Sequence, residues 1–326
     1  MKTISLAELK RPVEADLEAM NIRLGALRDS KVELIQRVGE HILEGGGKQL
    51  RPTLLLLVSR IGGQNPDIAV LAATVVELIH TATLLHDDSV DGSRLRRGRP
   101  TVNRAFSDSI SIIMGDFVYS KAFALLAERQ LHPLIEVLAQ ATHHMSLGEM
   151  IEMDLKHKVA TSEDEYYGMI DGKTASLFQA ACEIGAYVGF GGGEREVFRD
   201  FGRSIGMAFQ IADDVMDLVG EEAVIGKDRG NDLMEGKVTL PYIAALRNSP
   251  DVEKLHFSDL IAHPERINGG WDPMVQWVRR RGGERYAGER ARDFALRAQG
   301  LLARFPTSEA SQALSDAAAY VVDRPL

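Results

Sequence analysis

Residues 84–100 read LLHDDSVDGSRLRRGRP. An apolar run enters three aspartates, Asp87, Asp88 and Asp91, and the arginines Arg94, Arg96, Arg97 and Arg99 follow. On a helix, Asp87 and Asp91 share a face four residues apart, and Asp88 and Asp91 are neighbours at three. Like charges at these spacings repel, so the pattern costs helix stability unless a cation offsets it. The cluster has an echo in QIADDVMD, residues 210–217, with Asp213, Asp214 and Asp217. Each cluster prolongs an apolar stripe that should face a core, where a merely solvated acidic face is a poor explanation. Magnesium fits: it takes hard oxygen ligands and binds through one or two carboxylates plus substrate phosphates.

Outward from these clusters the chain reads as helix nearly throughout. Apolar residues recur at three and four in LAATVVELIHTATLLHDD, SISIIMGDFVYSKAFALLAE, HPLIEVLAQATHHMSLGEMIEMDL and FGRSIGMAFQIADDVMDLV. Pro52 suits a first helical turn after a glycine-rich break. Thr161 and Ser162, followed by Asp164 and Glu165, signal a helix start. GFGGGERE at 189–196 reads as a connecting loop, and Pro241 opens another helix. From about residue 250 breakers mix with shorter helical pieces. There is no composition shift and no fixed-period repeat. The expected fold is all-α, a single-domain helical bundle over residues 1–326.

Composition narrows the function. The 326 residues carry a formal charge of −9, a poor background for nucleic-acid binding. A single cysteine, Cys182, excludes an internal disulfide framework and a cysteine zinc cluster, and its apolar helical setting predicts a buried thiol. The charged N-terminal stretch lacks a signal-peptide pattern. No uninterrupted apolar run reaches about 18 residues, so no membrane span is expected and a cytoplasmic protein is.

Basic residues sit where phosphate chemistry would need them. Arg96 and Arg97 follow the first aspartates, with Gly98 allowing a tight turn, and guanidinium groups grip phosphate oxygens as a fork. GGGKQLRP at 45–52 places Lys48 and Arg51 at a glycine break before a helix, which favours an anion. DGKTASL at 171–177 places Lys173 and Thr174 at Gly172, a predicted kink. GKDRGNDLMEGKVTLP at 226–241 adds Lys227 and Lys237 after the second aspartates.

Together GGGKQLRP, ELIHTATLLHDDSVDGSRLRRGRPTVN, GDFVYSKAF, SLGEM, DGKTASLF and FQIADDVMDLVG…GKDRGNDLMEGKVTLP resemble the trans-isoprenyl diphosphate synthases of the polyprenyl synthetase family. The resemblance implies a helical bundle around a central cavity, usually a homodimer. It implies that Asp87, Asp88 and Asp91 hold two magnesium ions on an allylic diphosphate, and that Asp213, Asp214 and Asp217 hold a third. Arg96, Lys173, Lys227 and Lys237 would contact the allylic diphosphate. Lys48, Arg51, His80 and Arg97 would bind isopentenyl diphosphate, and Thr174 and Gln210 would face the allylic cation. The departing diphosphate would take the final proton.

In the family the fifth residue before the first aspartate motif often sets how far the product grows. Here it is Ala82, about 7.5 Å along the axis from Asp87, with Thr83 beside it, and both are small. A long-chain product, hexaprenyl to nonaprenyl, is therefore expected, of the kind that supplies quinone side chains. Met114, Phe117 and Met150 are candidates for a lower floor, which would give a geranylgeranyl diphosphate synthase instead. Met150 and Glu152 depart from a glutamine-containing pattern common among relatives. A noncatalytic subunit of a heteromeric synthase and a terpene cyclase are the other readings; the intact paired aspartates argue against both.

Overall fold

The computed structural model describes residues 4–63, 65–220, 230–267 and 271–323. Helices dominate, as the three-and-four spacing of apolar residues predicts. Five precede the first aspartate cluster's loop: α1 (Leu6–Lys10), α2 (Glu14–Leu24), α3 (Glu33–Glu44), α4 (Leu50–Gly62) and α5 (Pro66–Val90). A two-stranded antiparallel hairpin follows, β1 (Leu95–Arg96) and β2 (Arg99–Pro100). Then come α6 (Val102–Ala105), α7 (Asp108–Glu128), α8 (His132–Leu155), α9 (Glu163–Ile170), a π-helical turn (Asp171–Ala175), α10 (Ser176–Phe190) and α11 (Arg195–Val219). The remainder is α12 (Asn231–Met234), α13 (Leu240–Arg247), α14 (Asp251–Ala262), α15 (Asp272–Arg280), α16 (Gly283–Leu302) and α17 (Glu309–Asp323).

Local signals explain many boundaries. Ser162 caps α9: its hydroxyl accepts from the Glu165 N–H while Glu165 reaches back to the Ser162 N–H, two otherwise orphaned donors satisfied together. Pro66 and Pro241 stand in first turns, where a missing N–H costs nothing. Gly191, at φ 63°, ends α10 in the left-handed region.

The apolar stripes bury into two clusters. The larger gathers residues such as Leu54–Val58 of α4, Val75 and Ile79 of α5, Val118 of α7 and Ile184 of α10. The second gathers Tyr166 of α9, Ile211 of α11, Trp277 of α15 and Ala287 of α16. Phe294 and Val322 pack on both. Cys182 is buried in the first, and burial pushes its thiol far above the ordinary range.

α5 and α7 are the helices that position the first aspartate cluster. By length and composition both could cross a membrane, although neither contains the uninterrupted apolar run used as the sequence criterion. α5 is a core helix, with 67% of its most apolar window buried; for α7 the figure is 33%. α7 turns Met114, Val118, Ala122 and Leu126 inward, and leaves Ile112 and Ile113 exposed.

Candidate active site

α5 delivers the first aspartates at its C-terminal end. Asp91 caps the helix, its N–H donating to the Asp87 carbonyl at 2.8 Å. Asp88 is buried and faces elsewhere. Arg96 Nε donates to both of its oxygens at 3.0 Å, and Nη2 donates to Oδ1 at 2.8 Å. That pair pins the hairpin to the helix. The hairpin turns at Arg97 and Gly98, both left-handed at φ 54° and 75°, as the sequence reading of Gly98 anticipates. Arg97 in turn donates from Nη1 to the Gly46 carbonyl in the loop before α4.

Facing Asp91 is a network of lysines and carboxylates drawn from α8 and its end, the π turn and the turn after α12. Lys173 in the π turn lies 2.7 Å from Glu149 and 2.7 Å from Glu152, both on α8. Lys237 lies 2.7 Å from Glu235, 3.6 Å from Glu152 and 3.9 Å from Asp91. Lys156, just beyond α8, reaches Asp91 at 3.3 Å. The predicted kink at Gly172 is the π turn, and it is pressed directly onto α8. A Cβ on Gly148 would collide with the Lys173 backbone nitrogen, and one on Gly172 would stand 2.9 Å from the His144 carbonyl oxygen. The short contact that aims Lys173 therefore needs glycine on both sides.

Charge in this network is uneven. Burial, with Glu149 and Asp91 nearby, pushes the Asp87 carboxyl up to about 7, against Lys173 and Arg96. Burial would also raise Asp91, but Lys237, Lys156 and Lys173 outweigh it and hold that carboxyl below its ordinary value. Burial would lower Lys173, and Glu152 and Glu149 overcome it. Crowded oxygen donors beside Asp87 suit a hard cation. Among the described residues no three His, Cys, Asp or Glu side chains form a metal-holding group by themselves.

The second cluster divides in a similar way. Asp213 is exposed, whereas Asp214 is buried with both oxygens engaged. Tyr166 Oη donates to Oδ2 at 2.5 Å, and Gln210 Nε2 donates to Oδ1 at 2.8 Å. Gln210 Oε1 accepts from the buried Thr174 hydroxyl at 2.7 Å. Asp217 Oδ2 accepts the Asp232 N–H at 3.2 Å. The chain Thr174–Gln210–Asp214–Tyr166 thus ties the π turn to α11 and α9. Burial and the neighbouring Asp232 raise the Asp214 carboxyl well above its ordinary value.

On the other side of Arg96 lies a cavity of about 100 Å³ lined by Gly45, Gly46, Glu77, His80, Arg96 and Arg97, among others. Arg51 lies close by, its Nη1 3.3 Å from His80 Nε2 and its guanidinium 4.3 Å above the Phe178 ring. Burial, then Arg51, Arg97 and Arg96, hold His80 well below its usual range, so it is neutral and can accept from Arg51. Lys48 is exposed in the loop that leads into α4.

The expected chain-length residues are placed as follows. Ala82 is fully buried in α5, and Thr83 donates its hydroxyl to the His80 carbonyl at 2.8 Å. Met114 is buried and Phe117 partly so. Met150 is 63% exposed on the outer face of α8, so it is not a floor within this chain. Lys227 lies outside the described residues.

The roles of Glu149, Lys156 and Glu235 escape the sequence reading, and Glu152 enters it only as a departure from pattern. GEMIE does carry a signal: residues 149 and 152 share a helical face, and the second is an acid in a mostly apolar stretch.

The family model for Polyprenyl synthetase matches residues 32–268. The octaprenyl diphosphate synthase of Haemophilus influenzae is 35% identical over 322 residues, covering 98% of each chain. An all-trans-nonaprenyl-diphosphate synthase (geranyl-diphosphate specific) of Rhodobacter capsulatus is 36% identical over 97% of each. Among solved structures, a polyprenyl synthase from Caulobacter crescentus, complexed with calcium and isoprenyl diphosphate, superposes with a TM-score of 0.93 at 35% identity, covering 99% of both chains. With its all-α architecture and paired aspartate clusters, this prenyltransferase belongs to the polyprenyl synthetase family.

Proposed function

We propose that the chain condenses isopentenyl diphosphate head-to-tail with an allylic diphosphate and repeats the step to a long-chain polyprenyl diphosphate. One observation carries the reading. Arg96, braced by Asp88, lines the guanidinium-rich cavity, while Asp91, on the same short segment, meets Lys156 and Lys237. Two anion-binding sets therefore meet at the end of α5, as two diphosphate substrates that must be brought together require.

Lys173, Lys237 and Arg96 would hold the allylic diphosphate, with Lys227 joining from outside the described residues. Their charges stabilise the leaving group as the C–O bond breaks. Asp87 and Asp91 from α5, with Asp213 and Asp217 from α11, would hold magnesium, about three ions by family analogy; bound there, magnesium supplies further charge stabilisation to the leaving diphosphate. Asp88 and Asp214 act differently: they fix Arg96, and Gln210 with Tyr166. The hydroxyl of Thr174 and the amide oxygen of Gln210 present partial negative charge to the allylic cation. Lys48, Arg51, neutral His80 and Arg97 would hold isopentenyl diphosphate, whose double bond attacks that cation. The released diphosphate accepts the proton. Two copies of the chain would pair through the exposed apolar residues Ile112, Ile113, Leu147, Met150 and Met153 of α7 and α8.

The long-chain reading is supported by small residues at 82 and 83 and by the octaprenyl and nonaprenyl relatives. Chromatography of dephosphorylated products tests it, after incubation with farnesyl diphosphate, labelled isopentenyl diphosphate and magnesium. A dominant long polyprenol is expected. Dominant geranylgeraniol would replace it with the short-chain reading. No labelled product, with geranyl and dimethylallyl primers also failing, would leave only a partner-subunit role.

A further inference from the structure

The cavity beside Arg96 and Arg97 carries a carboxylate that the chemistry above does not use. Glu77 lines it one helical turn before His80 on α5. Gly47 stands directly over Glu77 and Arg97. A Cβ at that residue would lie 3.5 Å from Glu77 Oε1 and 3.2 Å from Arg97 Nη1. Behind them Arg51 approaches from α4. Its Nε and the second oxygen of Glu77, Oε2, are both buried without a hydrogen-bond partner. Burying an unpartnered carboxylate oxygen costs about 1–3 kcal/mol, so packing alone does not favour an acid here.

Electrostatics gives it a use. Burial raises the Glu77 carboxyl, while Arg51, Arg97 and Lys10 oppose that shift. Lys10, at the end of α1, is lowered by burial and supported in turn by Glu77. The acid therefore sits in the field of cations from α1, α4 and the hairpin turn. Without it, Arg51 and Arg97 would lose the carboxylate that supports the charge of both, because Asp88 is taken up by Arg96. Arg97 is the most exposed of these arginines and rides a left-handed turn of the hairpin. A diphosphate gains most from guanidinium groups already aimed at it, since the cost of ordering them is then met before binding.

We propose that Glu77 is a positioning residue of the isopentenyl diphosphate pocket, its carboxylate holding Arg51 and Arg97 in place from behind without touching substrate. The proposal rests on the reading of this cavity as that pocket. Steady-state kinetics on the full chain, varying each diphosphate in turn, tests it. Glu77→Gln keeps the shape and removes the charge. It is expected to raise KM for isopentenyl diphosphate about tenfold, with KM for the allylic diphosphate held within about twofold. Glu77→Asp, which retains the charge, is expected to fall between Glu77→Gln and the unaltered protein. Gly47→Ala crowds the same pair without removing any charge and is expected to raise the same KM. An unchanged KM in Glu77→Gln overturns the proposal, whatever Gly47→Ala does. So does an equal rise for both substrates, or a fall in kcat alone, because a merely structural acid acts in that way. Arg97→Gln separates the two layers. If it leaves KM for isopentenyl diphosphate unchanged, the assignment of the pocket itself has failed; if it raises that KM while Glu77→Gln does not, only the role of Glu77 has.

Discussion

The carboxylate of Asp88 is held by Arg96 through both oxygens, at 2.8 to 3.0 Å. Asp88 is almost fully buried, whereas the arginine side chain is 37% exposed. The acid is thus a buried anchor and the arginine a part-exposed cation held on one side. If Asp88 acts through Arg96, changing either should remove most of what changing both removes. Asp88→Asn and Arg96→Gln are expected to be non-additive in kcat/KM, with a coupling of about 1–3 kcal/mol. Asp88→Asn should raise the magnesium needed for half-maximal rate far less than Asp87→Asn does. An equal magnesium requirement in the two variants would return Asp88 to the metal set.

Asp87 gives the contrasting prediction, with a defined pH window. Its carboxyl is raised by burial and acidic neighbours from an ordinary 3.8 to about 7. Between those values the folded chain holds the proton more tightly than the unfolded chain. Folding stability from this group therefore falls as pH rises through the window, and the whole cost is present above the upper value. With magnesium present, Asp87→Asn is expected to lower turnover about a hundredfold, whereas in metal-free protein it is expected to raise stability near pH 8 by about 1 kcal/mol. The gain should vanish near pH 4. Thermal unfolding across that range checks the sign: a variant less stable than the unaltered chain at pH 8 would show that Asp87 has an attractive partner instead.

Much of this site is legible in the sequence, and the illegible part has a common cause. Helical spacing shows that Asp87 and Asp91 share a face, because side-chain direction along one helix is fixed by 3.6 residues per turn. The same spacing does not show that Asp88 and Asp214 turn to other partners. Arg96 reaches Asp88 only through a hairpin closed by left-handed Arg97 and Gly98, and Tyr166 is 48 residues from Asp214. Glu149 and Glu152 meet Lys173 because α8 lies against the π turn, a contact between helices that no local pattern encodes. The small residues at 82 and 83 are visible in the sequence, but Met150 shows how poorly apolar character alone locates a floor: the structure leaves it outside.

The contact between α8 and the π turn can be tested through its glycine. A methyl on Gly148 has nowhere to go but into the backbone of Lys173. Gly148→Ala should force α8 from the π turn and carry Lys173 away from Glu149 and Glu152. Overpacking of this kind costs about 1–3 kcal/mol. The loss of turnover should exceed what that instability explains, with KM for the allylic diphosphate rising at temperatures where the variant remains folded. Circular dichroism melts beside kinetics separate the two effects. A variant that loses stability but keeps its allylic KM would show that Lys173 need not be held this closely.

Ala82 decides between an open path and a packed wall. It is fully buried in α5, as is Val118 in α7, while Met114 is nearly so. α7 packs along α5 there, and the Ser111 hydroxyl donates to the Leu85 carbonyl at 2.8 Å. If the growing hydrocarbon passes Ala82 on its way from Asp87, a phenylalanine should stop it early. The first condensations need no such depth and should survive. Ala82→Phe is therefore expected to shift the product from long polyprenols to farnesyl- or geranylgeranyl-sized ones. The rate of the first addition should hold within about threefold, and overpacking should cost about 1–3 kcal/mol of stability. Dephosphorylated products separated by chain length give the answer directly. Unchanged product length alongside a lowered melting temperature would mean that residue 82 only packs α5 against its neighbours, and that the tail runs along another face of the helix.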